Sequence, residues 1–306
     1  MALVARFNID FMGNRRILFA ISLVLIVVSV GALAVRGLKF GIEFEGGTVI
    51  NVTNARAVTP AQVSKAFVDA GVAKPNVQTS SVNGVNGFII RTDSVNPDEA
   101  NASAAKVAQV TNLPVADFQV TTIGPGWGKN ITNSAVLALA LSIAAILLYV
   151  SLRFEYKMSI TAVIALVHDL IITLGVYSLA GLEVTPNTVA ALLTILGFSL
   201  YDTIVVFHRI KENSQGLVKQ SFMRMANESI NEVFIRSVNT TLTSMIPVLV
   251  LLFFGGSTLK DFAFALSIGL FSGAYSSIGV AAPLFAMWKE TEPKYRALAK
   301  RYANAS

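Results

Sequence analysis

Two aspartates sit where an ionised side chain is costly. In Gly197 to Asn213, GFSLYDTIVVFHRIKEN, Asp202 interrupts an apolar run that ends in a basic flank. Asp169 lies near the middle of a second apolar segment, Ser159 to Ala180, about eleven residues from either end. A carboxylate inside a membrane span costs roughly 2.5 to 3.5 kcal/mol on insertion scales, so it is expected to be paired or protonatable. The chemistry open to Asp202 is therefore reversible proton uptake, against the plainer role of a permanent structural carboxylate. For Asp169 a structural or inter-subunit contact and a relay role both stand. His168 is next to it but is expected to point elsewhere on the helix. The polar residues Thr194, Ser199, Asn239, Thr240 and Thr241 either line a hydrated path or bond their own helix carbonyls.

Other chemistries find no footing. There are no cysteines and only two histidines, His168 and His208, which leaves a thiolate or histidine metal site without ligands. Tyr201-Asp202 resembles half of an intramembrane aspartyl protease site, but the GxGD half is missing, and no Walker or HExxH motif occurs. The chain is expected not to be an enzyme and to need no cofactor. The net charge of +6 comes from basic residues spread along the chain, which read as topology signals rather than nucleic-acid contacts.

The elements that must position these acids are membrane helices. Hydrophobic residues make up 54% of the chain and charged residues 14%, against about 25% charged in soluble domains. Six segments approach the 20 or so residues that cross a bilayer: Ile17 to Val35, Ala135 to Val150, Ser159 to Ala180, Thr188 to Phe207, Ile235 to Phe254 and Phe262 to Trp288. The second extends upstream through Asn130 to Ser134 or downstream to Phe154. Arg6, Arg15, Arg16, Arg153, Lys157, Arg209, Lys211, Lys219, Arg224 and the basic residues after Trp288 fall on one side, which predicts that both termini are cytoplasmic. The first span reads as a retained anchor, its apolar run exceeding that of a cleavable signal.

The polar region 40–125 then lies outside the cytoplasm and is long enough to fold alone. Alternation predicts strands at Thr48 to Asn54, Asn76 to Ser81, Phe88 to Thr92 and Phe118 to Ile123. Helices are predicted from Pro60, with Val63, Ala66, Phe67 and Ala70 on one face, and over Asp98 to Val110. The βαββαβ order predicts a ferredoxin-like layer, and nothing in it looks catalytic. The hairpin turn is placed at Asn83-Gly84-Val85-Asn86-Gly87. The loop Ser214 to Phe234 reads either as an interfacial helix, with Val218, Phe222, Met225, Ile230 and Val233 on its apolar face, or as a plain connector. Glycines in Ser272 to Ser277 suit helix packing, and Pro247 and Pro283 suit local kinks.

Several motifs carry a resemblance in the right order: GIEFEGG at Gly41 to Gly47, TIGP at Thr122 to Pro125, LRFE at Leu152 to Glu155, VHDL at Val167 to Leu170, Gly197 to Asn213, RSVNTTLT at Arg236 to Thr243, FGG at Phe254 to Gly256 and SGAYSSI at Ser272 to Ile278. With these the chain resembles the SecF family, the smaller half of the SecDF membrane component of bacterial protein secretion in the resistance-nodulation-division superfamily. It departs from that family at Glu43, Tyr201 and His208, where an aspartate, an asparagine and an acidic residue are usual.

The resemblance implies a site at Asp202, Arg236 and Thr240 that conducts protons, with His168, Asp169, Ser199 and Asn239 as secondary polar candidates. It implies use of the proton gradient, or of sodium, to promote late translocation and release of secreted polypeptides at the bacterial inner membrane. The implied partners are a SecD-like subunit, the SecYEG channel with YajC or YidC, and the unfolded secreted chain. The implied organisation is residues 1–39 as N-terminus and first span, 40–125 as the outer domain, 126–288 as spans two to six, and 289–306 as a basic tail. Two other readings remain at this point, a proton-linked half-transporter for lipid or small hydrophobic molecules and a passive factor that stabilises the translocation channel.

Overall fold

The computed structural model describes residues 9–302 apart from 54–57, 74, 83, 84, 95 and 256. Arg6, Asn83, Gly84 and Gly256, used in the expectations above, lie outside the described residues.

The chain opens with the apolar helix α1 (Arg15–Arg36), then a short strand β1 (Lys39–Phe40) and one helical turn α2 (Ile42–Glu45). A four-stranded unit follows: β2 (Gly47–Val52), α3 (Pro60–Asp69), β3 (Asn76–Val82), β4 (Val85–Thr92), α4 (Pro97–Thr111) and β5 (Phe118–Ile123). The membrane-type helices resume with α5 (Pro125–Arg153) and α6 (Tyr156–Ala180), then the strand β6 (Glu183–Val184), α7 (Pro186–Ser214) and α8 (Phe222–Phe254). The last span joins α9 (Ser257–Ser276), a wider π-helical turn at Ser277–Ala281 and α10 (Ala282–Glu290), after which α11 (Pro293–Arg301) lies at the end. Among the described residues, six helices are long and apolar enough to cross a membrane.

The α+β unit forms where turn chemistry and periodicity agree. Proline stands in the first turn of both α3 and α4, where its missing N–H costs nothing, and Thr59 with Gln62 closes a capping box on α3. The strands lie in the order β3-β4-β2-β5, every neighbouring pair antiparallel. Ile50, Val52, Phe88 and Ile90 point to one face of this sheet and pack against Val63 and Phe67 of α3 and Ala104, Val107 and Ala108 of α4. Ala70 packs beside them partly buried. Gly47 opens β2 with φ +121°, and a Cβ there would stand 2.7 Å from the Thr92 carbonyl oxygen, so only glycine fits.

The opposite sheet face looks toward the helices. Val49, Asn51, Ile89, Arg91 and Thr121 line a cleft of about 310 Å³ whose far wall includes Glu183 and Asp261. Three contacts hold the unit there. β1 pairs in parallel with β6, α2 packs on the start of α5 so closely that a Cβ on Gly128 would lie 2.4 Å from the Phe44 oxygen, and Arg91 is ion-paired to Glu183 at 2.5 Å.

Helices pack through small residues. A Cβ on Gly175 of α6 would fall 2.2 Å from the Ser29 Cβ of α1, and one on Gly273 of α9 would fall 2.9 Å from the Ser199 Cβ of α7. These contacts bring backbones close enough for short side chains to bridge helices. Within the last span, Pro283 has no N–H to return to the Gly279 carbonyl, and the chain widens into the π turn just before it. α8 runs unbroken through Pro247.

Two expectations need correction. Residues 222–234 are helical but continue directly into the fifth span, so α8 is one helix rather than an interfacial helix joined to a span. Phe222, Met225, Ile230 and Val233 are buried as expected, whereas Val218 precedes the helix and is exposed. The second span is longer than its apolar core, because no breaker interrupts Asn130 to Arg153 on either side of it.

Candidate functional site

Two polar centres lie within the helices. Asp169, on α6, is fully buried, and four donors converge on its two oxygens. Oδ2 accepts from the hydroxyls of Ser199 on α7 at 2.6 Å and Ser276 on α9 at 2.8 Å. Oδ1 accepts from the Ser272 hydroxyl at 2.5 Å and stands 3.0 Å from Nδ1 of His168. A shell of hydroxyls extends this centre, since Thr203 and Ser277 share a hydrogen bond of 2.8 Å and Ser277 donates to the Gly273 carbonyl. The carboxylate thus ties three helices together with bonds of the charge-assisted kind, about twice as strong as neutral ones. His168 does not point elsewhere, as the helix wheel predicted. Its ring turns back onto the neighbouring carboxylate.

Asp202, on α7, is 8% exposed and faces α8. With Thr240, Thr241 and Ser244 of α8 it lines a small cavity of about 10 Å³, the lower limit for one water molecule. Arg236 does not reach it. Its Nη2 donates to the Tyr201 hydroxyl at 3.4 Å, and among the described residues no ion pair joins Arg236 to Asp202. Thr240 donates to the Arg236 carbonyl at 2.9 Å, Thr241 to Ser237 and Thr194 to Ala190, the backbone bonding that membrane hydroxyls commonly make. Ser199 alone of that set reaches across to a carboxylate. Arg236 and Asn239 are exposed on the same face as Tyr201, which is 47% exposed.

The sequence therefore located both acids but not their partners. Ser272 and Ser276 were read with the packing glycines beside them, and Tyr201 only as a departure from a family pattern. The signal available was the serine-rich composition of Ser272 to Ser277, opposite an acid with no assigned cation.

At the end of the helices nearest the α+β unit, the Arg91–Glu183 pair lies at the edge of the cleft. Burial pushes the Glu183 carboxyl above the usual glutamate range, against the opposing pull of Arg91. At the other end Lys157 and Lys289 are buried among Glu155 and Glu292, with Lys157 2.9 Å from Glu292 and Lys289 2.5 Å from Glu155. Among the described residues no three His, Cys, Asp or Glu side chains come together to hold a metal.

Known proteins share both sequence and shape with this chain. Residues 102–291 match the family of protein export membrane protein SecD/SecF, C-terminal, and residues 31–53 match the SecD/SecF GG motif. The chain is 40% identical over 302 residues to protein translocase subunit SecF of Streptomyces coelicolor, covering 95% of this chain and 80% of that one. It is 35% identical over 288 residues to protein translocase subunit SecDF of Thermus thermophilus, covering 93% of this chain and 39% of that one. A crystal structure of SecDF, a translocon-associated membrane protein from Thermus thermophilus, matches with a TM-score of 0.84 at 32% identity over 95% of this chain and 40% of its own. The chain spans about two fifths of the SecDF chains it resembles.

Proposed function

The chain belongs to the SecD/SecF protein-export membrane family, and from that premise we propose that it is an accessory subunit of the bacterial Sec export machinery. It is a multi-pass membrane protein, and on this reading it sits in the inner membrane with both termini in the cytoplasm. Residues 40–125 then form a ferredoxin-like outer domain, a reading supported by the strand order and by the two helices on one sheet face. Residues 1–39 carry the first span, 126–288 the other five and 289–306 the basic tail. Its main partner is a SecD-like subunit, which supplies the part of the fused SecDF relatives that this chain lacks. The SecYEG channel, with YajC or YidC, and the emerging polypeptide complete the assembly.

We propose further that the subunit uses the proton gradient, with Asp202 as the group that changes charge, Arg236 as the fixed cation and Thr240 lining the path between them. The observation that carries this reading is the unpaired state of Asp202. It is buried in a span beside a water-sized cavity, while the nearest fixed cation named by the family motif is held by Tyr201 one residue away. A small swing of Arg236 from the phenol to the carboxylate gives two electrostatic states, one favoured when Asp202 is ionised and one when it is neutral. Each 100 mV supplies about 2.3 kcal/mol per proton moved, enough to bias such a pair repeatedly. Coupled to the outer domain, it promotes late translocation and release without nucleotide on the outer side.

The test is to co-reconstitute the chain with its SecD partner and measure ion current and polypeptide release for Asp202→Asn and Arg236→Met. Both activities are expected to vanish while the complex stays assembled. Wild-type current and release in Asp202→Asn sink the mechanism and leave a passive stabilising role.

A further inference from the structure

His168 carries a buried nitrogen that the contacts described so far leave unexplained. The residue is 3% exposed on α6, its Nδ1 faces Asp169, and its Nε2 is buried with no hydrogen-bond partner. A buried polar atom without a partner costs about 1 to 3 kcal/mol, so the site is costly as a neutral ring alone. Its surroundings offer little else. From α9, Ser272 and Ser276 point to Asp169, and the Tyr275 ring lies 6.2 Å away with its hydroxyl donated to the Leu18 carbonyl at 2.6 Å. From α1 comes Ser22, 3.0 Å from the Tyr275 hydroxyl, and from α7 comes Ser199, with the acid Asp202 three residues further along the helix. No side chain with a positive charge faces Asp169 from these helices among the described residues.

The charge balance of this centre follows from those contacts. Three hydroxyl donors and the ring N–H at Nδ1 point at Asp169, an arrangement that satisfies an anion and leaves no acceptor for a carboxyl proton. A buried anion with no cation near it is strongly disfavoured. The one basic lone pair in the centre is Nε2 of His168.

We propose that Nε2 of His168 is a proton-binding atom, and that His168 and Asp169 form a second protonatable centre of this chain, apart from Asp202. A proton delivered by water forms a new N–H bond at Nε2, the Nδ1 proton stays on Asp169, and the pair passes from a net charge of −1 to zero. Because the carboxylate draws its donors from α7 and α9, the charge of the pair bears on how those helices are held against α6. The inference deepens the proton-coupled reading but stands on the geometry of His168, whether or not Asp202 conducts.

The chain has only two histidines, which makes the test direct. His208 is exposed, so the His208→Gln variant of the full chain, labelled with ¹⁵N-histidine and placed in lipid nanodiscs, yields signals from His168 alone. Nitrogen shifts are followed from pH 5 to 9, the range in which imidazoles titrate. The expected result is a reversible transition in which Nε2 gains and loses a proton while Nδ1 stays protonated. In Asp169→Asn the midpoint is expected to fall by at least one pH unit, a tenfold loss of proton affinity. A spectrum that does not change with pH, whether Nε2 is bare or permanently protonated, overturns the proposal, as does an unmoved midpoint in a folded Asp169→Asn. Failure of the Asp202 mechanism would instead appear in the ion current and leave this titration intact.

Discussion

Replacing Asp169 with alanine removes the acceptor shared by three hydroxyls and one ring nitrogen, and the consequence can be sized from the structure. Hydrogen bonds between membrane helices average about 0.6 kcal/mol and reach about 1.7. Bonds to a charged group contribute about 1.5 to 3 kcal/mol, and a stranded buried donor costs about 1 to 3. Relief is available to some of the stranded donors, since the Ser276 hydroxyl already lies 3.3 Å from the Gly273 carbonyl and can turn to it. Eliminating a buried carboxylate also removes its desolvation cost. Balancing these terms places Asp169→Ala about 2 to 5 kcal/mol below the wild type. Asp169→Asn keeps one acceptor oxygen and should fall between the two. Ser276→Ala should cost about 1 kcal/mol. Ser199 and Ser276 share Oδ2, so their double variant should depart from additivity by at least about 0.5 kcal/mol. Reversible unfolding in bicelles measures all four. An Asp169→Ala protein within about 0.5 kcal/mol of the wild type would show that the carboxylate is not what holds α6, α7 and α9 together.

Two more outcomes follow from packing and charge. Gly175→Ala places a methyl 2.2 Å from the Ser29 Cβ and 2.5 Å from its Cα, so α1 must shift at a cost of about 1 to 3 kcal/mol; Ser29→Gly in the same chain should recover most of it, and an additive pair of losses in unfolding measurements would refute the contact. For Glu183, raised by burial against the pull of Arg91, the folded chain holds a proton where the unfolded chain has released it. Its contribution to stability is therefore present below the ordinary glutamate value of about 4.3 and is lost as pH rises through the raised value. Thermal midpoints measured from pH 4 to 8 should show that fall in the wild type and not in Glu183→Gln, and parallel curves would exclude it.

Much of this arrangement was legible in the chain. Apolar runs located the six spans because a bilayer filters for length and composition, and Pro60 and Pro97 marked helix starts because proline suits only the first turn. The strand at Phe118 to Ile123 was placed to the residue, and β2, β3 and β4 to within a few. Other features left weaker traces. The continuity of α8 was hidden because polar residues before Arg236 look like an interface, while a helix crossing that boundary leaves no mark beyond the lack of a breaker. The donors to Asp169 lie 30, 103 and 107 positions away, and serine is read equally well as a small packing residue. His168 was misplaced because adjacent residues on a helix do not normally face each other, whereas a ring can fold back onto its neighbour when no other acceptor is near. Tyr201 could not be assigned as the Arg236 acceptor without knowing the rotation of α7 against α8.

The two acids differ in what surrounds them, and that difference bears on the division of labour. Asp169 is closed: its donors come from this chain, it is wholly buried, and its bonds join α6, α7 and α9. The Asp202 face is open, with Arg236, Asn239 and Tyr201 exposed beside Phe198 and Leu242 on a surface otherwise suited to lipid. Polar groups at membrane depth need partners, because hydrocarbon offers none. Arg236, near one end of its span, can extend its guanidinium toward headgroups, but the Asn239 amide one turn deeper cannot reach them. A second membrane surface is the arrangement that satisfies both, and the SecDF relatives, of which this chain matches about two fifths, carry enough additional chain to provide it. On that reading a rigid, internally satisfied centre at Asp169 fixes α7 in place, and the incomplete face around Asp202 is where a change of charge meets the partner and becomes movement.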